Sequence, residues 1–365
     1  MERMIPDTFT LRGTTRSLTD WLDLWEAEPP RMSWEEEVSS FIREFFTKEH
    51  LQVDTSGTTG PPRTLTVERA RMVASARMTL DALRPEEGGR ALLCLPARYI
   101  AGKMMIVRAV VGGLDLHPIE PAALPVIEGS YSLAAMTPHQ AALVLQRPHG
   151  REKLSRIRHL LLGGGPLPPA LEKELATLPT DIRHTYGMTE TLSHVALRSI
   201  TGPHRSPWFT PLPGVRVTTN DQGCLVIEAP ALTRNPVETR DLAVTDDKGR
   251  FRITGRLDHL INTGGVKVSP ETVEEKLAPF LPLTFFITGT PDEMLGEQIT
   301  LIIESPPLDA RGKEQIRQAL NKLRNRIHRP RKIIRLERFL YTPTQKIQRD
   351  LTRGKALKVG EELQL

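Results

Sequence analysis

Between positions 53 and 65 the chain reads VDTSGTTGPPRTL. Thr55, Ser56, Thr58 and Thr59 supply hydroxyls, Gly57 and Gly60 expose backbone N–H groups, and Arg63 adds a fixed positive charge. Such a loop can wrap a polyphosphate, with the arginine neutralising it. The spacing excludes the two commonest phosphate loops. A GxxxxGK[ST] motif starting at Gly57 would need its second glycine where Pro62 stands, and GxGxxG fails both here and at Gly163-Gly164-Gly165. On the loop alone, a polar surface turn reads as well as a phosphate site.

Other segments bear on that choice. Thr185-Tyr186-Gly187-Met188-Thr189-Glu190-Thr191 brings a flat ring, hydroxyls and a carboxylate together. Thr239-Arg240-Asp241, Gly255-Arg256-Leu257-Asp258 and Gln345-Lys346-Ile347-Gln348-Arg349 follow in order. Each has a plain structural reading. Tyr186 alone is core packing, Glu190 a solvated helix face. Lys346 is one of sixteen Lys and Arg set against three acids between 311 and 358. His184 and His194 read as structural rather than catalytic. Lys103 and Arg108 stand out as cations inside the apolar run LPARYIAGKMMIVRAVVGGLDL. A charge there needs a partner or a route to water.

The elements that must position these residues follow from patterning. Residues 17–48 predict two amphipathic helices, with Trp21, Leu22 and Trp25 on one face and Ser33 capping the second. From 51 to about 185, short apolar runs such as ALLCL and IRHLLL alternate with helical stretches, which predicts α/β structure with buried, largely parallel strands. From about 207 to 255 the texture is short strands turned at Asp-Gln-Gly and Asp-Lys-Gly. Beyond Arg256 a smaller α+β pattern opens at Ser269-Pro270, continues through two strands, and enters a long basic helix near 310–328. The expected division is therefore 1–255 and 256–365.

The chain's 365 residues, 39% hydrophobic and 25% charged, suit two or three domains with a sizeable core. A formal charge of +5 fits anionic small molecules and is weak support for nucleic acid, which is not expected as a partner. Cys94 and Cys224 lie far apart without metal spacing, and neither a signal core nor a membrane span is visible, so a cytoplasmic protein is expected.

Taken in order, the motifs resemble the adenylate-forming superfamily of acyl-CoA synthetases, adenylation domains and luciferases. TSGTTGPPR is similar to its phosphate loop, YGMTE to its magnesium-site motif, GRLDHLINTGG to its hinge and TQKIQR to its C-terminal lysine motif. The resemblance implies a large α/β N-terminal domain of mixed sheets flanked by helices and a small mobile α+β C-terminal domain. It implies ATP, Mg²⁺ and coenzyme A, and a reaction in which a carboxylate attacks the α-phosphorus before a thiol displaces AMP. Thr55 to Gly60 with Arg63 would hold phosphates. Gly163, Gly164 and Gly165 would give the base close backbone approach, Tyr186 would stack on it with Gly187 also in the ATP site, and Asp241 would bind the ribose. Arg256 would sit near ribose and phosphate, Thr189 and Glu190 would serve the metal, and Lys346 would be the catalytic cation. Asp258 would be the hinge.

Two features depart from the pattern: Arg63 stands where the family has lysine, and only 54 residues precede Thr55, so the first subdomain is expected to be reduced, or completed by a second chain as a homo-oligomer. Within the superfamily the run 95–116 and the YGMTETLSHVALR segment resemble compact o-succinylbenzoate–CoA ligases of menaquinone biosynthesis. That substrate is a dicarboxylate, so Arg108, with Lys103 and His194 as further candidates, would meet the carboxylate that does not react. A carrier-protein-loading adenylation enzyme and a non-catalytic nucleotide-binding module are the alternatives.

Overall fold

The computed structural model describes residues 5–54, 64–341 and 347–364. The phosphate-loop residues 55–63 and Lys346 therefore lie outside the described residues. The first described elements are a hairpin, β1 (Thr8–Leu11) and β2 (Thr14–Ser17), whose turn residues Arg12 and Gly13 both have positive φ. Helix α1 (Leu18–Ala27) follows, capped by Ser17, whose hydroxyl accepts from the Asp20 amide. Trp21 and Trp25 stack at 5.7 Å as expected, but Leu18 and Leu24 rather than Leu22 pack with them into the core. Helix α2 (Ser33–Thr47) buries Val38, Phe41, Ile42 and Phe45 along one stripe. Ser33 does not cap it. Met32 holds the cap position without a side-chain bond, and Ser33 is already helical, followed in the first turn by Glu35 and Glu36, whose charge suits the helix N-terminus.

Strands β3 (His50–Asp54) and β4 (Thr64–Glu68) form a separate antiparallel ribbon. Asp54 pairs directly with Thr64, whose hydroxyl donates to the Asp54 carboxylate at 2.7 Å. Then come α3 (Arg69–Leu83), β5 (Arg90–Leu93), α4 (Ile100–Val111), β6 (Asp115–Pro118), β7 (Tyr131–Met136), α5 (Pro138–Leu145), α6 (Gly150–Ser155), β8 (Ile157–Leu162), α7 (Pro169–Leu175), β9 (Asp181–Gly187), β10 (His194–Ser199) and β11 (Thr210–Pro211). They build a nine-stranded sheet in the order β11-β10-β9-β8-β7-β5-β6-β1-β2. The neighbours from β9 to β6 pair in parallel. All six residues of β7 are buried, as the apolar runs predicted for strands covered on both faces.

A four-stranded antiparallel sheet follows: β12 (Arg216–Thr219), β13 (Cys224–Glu228), β14 (Val237–Thr245) and β15 (Phe251–Arg256). The predicted turns at 221–223 and 247–249 join its hairpins. Sheet membership then changes. A short 3-10 turn, Leu257–His259, leads to β16 (Ile261–Thr263), β17 (Val266–Val268), α8 (Pro270–Leu277), β18 (Thr284–Asp292), β19 (Gly296–Glu304), α9 (Ala310–Asn321), β20 (Lys332–Leu336), α10 (Arg349–Val359) and β21 (Glu361–Glu362). Ser269 caps α8 as expected, its hydroxyl accepting from the Thr272 amide. The basic helix expected to reach 328 stops at Asn321; Asn325 starts a separate 3-10 turn over Arg326–His328. The result is mixed α/β architecture with a smaller α+β region at the C-terminal end.

One close approach fixes the edge where the site forms. After β9 the chain folds back so tightly that a Cβ on Gly187 would stand 2.2 Å from the Ser193 carbonyl oxygen and 2.4 Å from the His194 Cα. Both are backbone atoms, so Gly187→Ala must push β9 and β10 apart, at a cost of about 2 kcal/mol or more. Gly354 in α10 meets nothing within 4 Å, so Gly354→Ala is expected to raise stability by roughly 0.5–1 kcal/mol. Urea unfolding midpoints of the two variants check this; equal midpoints would refute the steric account.

Candidate functional site

The carboxyl ends of the parallel strands β8 and β9 carry Gly163–Gly165 and Tyr186–Gly187, at the edge where open α/β sheets bind ligands. Asp54, the last residue before the predicted phosphate loop, bridges to Tyr99, which lies beyond β5 and caps α4. The glycine run begins directly after β8. Gly163 donates to the Met136 carbonyl at 3.0 Å, and a Cβ on it would meet the Thr185 hydroxyl at 2.4 Å. Gly164 has φ +82, a backbone conformation that favours glycine. Thus Gly163–Gly165 and the end of β9 are pressed together as neighbouring strand ends. His184 Nε2 lies 3.1 Å from the Gly165 carbonyl and Nδ1 lies 3.3 Å from Arg198 Nη2.

From β9 the contacts run to the four-stranded sheet. The half-buried Tyr186 donates from its hydroxyl to Asp241 Oδ2 at 2.6 Å, while its ring packs on Phe209 and edge-on to Phe251. Arg256 donates to the other Asp241 oxygen at 3.0 Å. The same guanidinium grips both oxygens of Asp258, Nε at 3.0 Å and Nη2 at 2.9 Å. Asp258 holds Arg256 above the usual arginine range; for Asp258 itself desolvation is the largest single effect and would raise it, but the hydrogen bond and charge of Arg256, with smaller help from His259 and the backbone, together hold it below the usual carboxylate range. Tyr186 is raised above the usual phenol range, chiefly by burial and then by the Asp241 charge. Each Asp241 oxygen keeps a further lone pair, so the carboxylate can still accept from two ribose hydroxyls.

Thr189 and Glu190 lie in a 3-10 turn, Thr189–Thr191, closed by Leu192 at φ +64, a strained value for leucine. Glu190 is exposed, without an ion pair or hydrogen bond among the described residues. No cluster of three or more His, Cys, Asp or Glu able to hold a metal exists among the described residues. Mg²⁺ is commonly held by one or two carboxylates together with substrate phosphates. A lone free carboxylate fits a magnesium ion arriving with a nucleotide and does not make a protein cage. Lys346 lies outside the described residues, but its flanks are set: Tyr341 and Ile347 pair antiparallel, and Arg349 makes a bidentate bond to Glu274 of α8 at 2.8 and 2.7 Å.

Arg108 and His194 come together, while Lys103 does not join them. Arg108 is 2% exposed. It donates to the Ser193 hydroxyl at 2.6 Å and lies 3.5 Å from His194 Nδ1; its Nε has no partner among the described residues. No carboxylate among the described residues pairs with it. Burial pushes its guanidinium down to about 9, and burial followed by the Arg108 charge holds His194 well below the ordinary histidine range. Thr79 of α3 completes the cluster, 2.9 Å from His194 Nε2. Lys103 instead donates to the Gln52 carbonyl at 2.6 Å and covers the Phe41 ring. Ser193 and Thr79 were not anticipated. Ser193 sits inside TETLSH, next to His194, and could have been read there; nothing local marks Thr79.

Fold and motifs together define an α/β nucleotide-using enzyme, and comparison with known proteins gives its family. Residues 55–229 match the AMP-binding enzymes. A probable 2-succinylbenzoate–CoA ligase of Mycobacterium tuberculosis is 31% identical over 283 residues, 69% of this chain and 70% of that protein. The 2-succinylbenzoate–CoA ligase of Bacillus cytotoxicus is 26% identical over 275 residues, covering 67% and 57%. A solved acyl-CoA synthetase (AMP-forming)/AMP-acid ligase II-like protein from Dyadobacter fermentans shares 32% identity over 92% of this chain and 98% of that one, with a TM-score of 0.61. The o-succinylbenzoate CoA synthetase of Bacillus subtilis, solved with its acyl-adenylate, has the same fold, with a TM-score of 0.69 at 20% identity over 86% and 70%. The chain belongs to the AMP-binding, adenylate-forming enzymes, and its chemistry is ATP-dependent acid–thiol ligation. No helix among the described residues is long and apolar enough to cross a membrane.

The two buried histidines give a pH test. Burial, reinforced by the Arg198 charge, pushes His184 down to about 4 from 6.5, and His194 is lowered as well. Each folded pKa is depressed, so the unfolded chain binds protons first as pH falls. The stability they carry is whole above about 6.5; the part due to His184 is lost toward 4, with a slope of about 1.4 kcal/mol per pH unit within that window, and His194 adds a loss of the same sign as pH falls. Urea unfolding at pH 7 and pH 5 is expected to show a clear loss; unchanged stability would contradict the burial of neutral imidazoles.

Proposed function

We propose that this enzyme activates 2-succinylbenzoate, or a closely similar dicarboxylate, with ATP and passes the acyl group to coenzyme A. In the first step a substrate carboxylate oxygen bonds to the α-phosphorus as the bond to the β-phosphate oxygen breaks, leaving acyl-AMP and pyrophosphate. In the second a thiolate sulfur bonds to the acyl carbon and AMP leaves. Neither step needs a protein nucleophile; both need charge control, because an anion approaches a polyanion.

On this reading Thr55 to Gly60 and Arg63 hold the departing phosphates, and the Gly163–Gly165 turn and Tyr186 flank the base. Asp241 binds the ribose and Arg256 lies beside it. Glu190, with Thr189, would hold the magnesium, which supplies positive charge to the phosphates. Lys346 stabilises charge between acyl carboxylate and α-phosphate. The chain divides near Arg256 into an N-terminal unit that binds substrates and a smaller C-terminal unit bearing Lys346, with Asp258 as hinge. Supply of these substrates suits the cytoplasm.

The observation that carries the dicarboxylate is Arg108: a buried cation beside a neutral histidine, with no carboxylate among the described residues. An unpaired buried charge is costly, and a substrate carboxylate would supply the missing partner. Pyrophosphate exchange over a panel of mono- and dicarboxylic acids is expected to single out 2-succinylbenzoate, with thioester formed on free coenzyme A. Arg108→Ala should lower kcat/KM for the dicarboxylate roughly 30-fold, about 2 kcal/mol, while the KM for ATP holds. A monocarboxylate analogue should lose far less. Equal loss on both substrates would make Arg108 structural.

The half-reactions separate Lys346 from Asp258. Lys346→Ala should remove on the order of 3 kcal/mol from adenylation and leave thioester formation from supplied acyl-AMP largely intact. Asp258→Pro fixes φ near −65° and is expected to do the reverse, sparing adenylation and blocking thioester formation. Stopped-flow assays of each half-reaction read the split; equal losses in both would defeat the assignment.

A further inference from the structure

The turn at 163–168 is held by more than its own backbone. His184 of β9 stands directly opposite Arg198 of β10 in the antiparallel register. Arg198 is also bound bidentately by Glu172 of α7, at 3.1 and 2.8 Å, with Arg205 a second cation 3.7 Å from the same carboxylate. Its guanidinium lies over the Phe209 ring, which also packs against His184 and Tyr186. Donor and acceptor chemistry then leaves one arrangement. A guanidinium can only donate, so His184 Nδ1 must accept from Arg198. The proton of the neutral ring sits on Nε2 and is given to the Gly165 carbonyl at 3.1 Å, which can only accept. Protonating Nδ1 would set a second cation against Arg198, and burial of His184, 8% exposed, opposes the charge as well.

Gly165 lies within the loop that joins β8 to α7, and Glu172 lies in the helix α7 that follows it. The chain of contacts Glu172–Arg198–His184–Gly165 therefore closes that loop with side chains anchored on two strands. We propose that Glu172, Arg198 and His184 are positioning residues for nucleotide binding, a relay that fixes the imidazole tautomer and thereby the carbonyl and slope of the glycine turn against the base. This rests on the reading above that the Gly163–Gly165 turn meets the nucleotide base. The relay touches only the wall on the base side, so its loss should weaken adenosine-containing ligands and spare pyrophosphate.

The test uses the full chain. Long-range proton–nitrogen spectra of wild type are expected to show His184 with its proton on Nε2; the Nδ1–H tautomer would overturn the relay. Calorimetric titration should give an AMP affinity weakened roughly tenfold in Arg198→Met and His184→Phe, about the worth of one lost hydrogen bond, with pyrophosphate affinity unchanged. His184→Gln carries an amide N–H that can reach Gly165 and a carbonyl that can accept from Arg198, so it should bind AMP within about threefold of wild type. Folded variants that bind AMP like wild type, or lose AMP and pyrophosphate equally, would overturn the proposal. Wild type that binds no AMP would instead sink the nucleotide-site reading on which it rests.

Discussion

A single carboxylate, Asp241, joins the parts of this molecule that have to act together. One oxygen takes the hydroxyl of Tyr186, from the nine-stranded sheet, and the other takes Arg256, the last residue of the four-stranded sheet. Through the same guanidinium it is linked to Asp258, where the chain leaves for the C-terminal sheet. Charge-assisted bonds to a partly buried carboxylate are among the stronger polar contacts, and here they replace apolar packing exactly where two sheets must leave room for a ligand. Tyr186 cannot turn without breaking its bond to Asp241, and Arg256 cannot move without leaving one acid or the other. The edge is thus set by direction-specific contacts, while Phe209 and Phe251, stacked at 5.5 Å, supply the apolar floor beneath it.

The surroundings of Arg108 follow a different electrostatic rule. Around Arg108 the neighbours are neutral: a hydroxyl, an imidazole held uncharged, and apolar residues of α4 such as Met104 and Val107, both fully buried. A stable core would pair that guanidinium with an acid or replace it with leucine. Keeping it costs stability in the empty enzyme, and sites that bind a charged ligand characteristically carry such a cost. Asp241 and Asp258 are already matched with Arg256, whereas Arg108 carries a positive charge with no acid partner among the described residues. On the proposed reading, two anionic substrates can then be received without either being drawn to the other's place.

Much of this was legible in the sequence because the chemistry is contiguous there. Tyr186, Gly187, Thr189 and Glu190 lie within five positions, and a strand end delivers them together. The apolar runs of β5, β7 and β8 announced buried parallel strands for the same local reason. What was not legible depends on register and packing across the chain. Thr79 meets His194 from 115 positions away. Arg198 owes its role to standing opposite His184, which no local pattern records. Ser33 has the chemistry of a cap yet lies one residue inside the helix, because cap position is decided by backbone geometry at Met32. The basic helix was read too long because its charge pattern continues past Asn321 while its backbone does not.

The passage between the two regions has its own energetics. On either side lie apolar clusters: Val195, Leu225, Ile227 and Phe251 before it, and Ile261, Val273, Leu301 and Ile303 after it. Between them the contacts are largely polar. Ser269 donates to the Thr254 carbonyl at 2.9 Å, His259 pairs with Glu271 at 2.6 Å, and Arg240 reaches Asp258 at 3.8 Å. Exchanging a hydrogen bond for water costs only about 0.5–1.5 kcal/mol, and an exposed ion pair less, whereas separating apolar clusters costs far more. A change of orientation confined to 257–260 would therefore leave both cores intact and rearrange only replaceable bonds. Arg256 sits on the fixed side of that passage, bound to Asp241, so a ligand donating hydrogen bonds to Asp241 would act on the same guanidinium that holds Asp258. On the proposed reading, nucleotide occupancy and the hinge are joined through one side chain, Arg256, which holds Asp241 and Asp258 together.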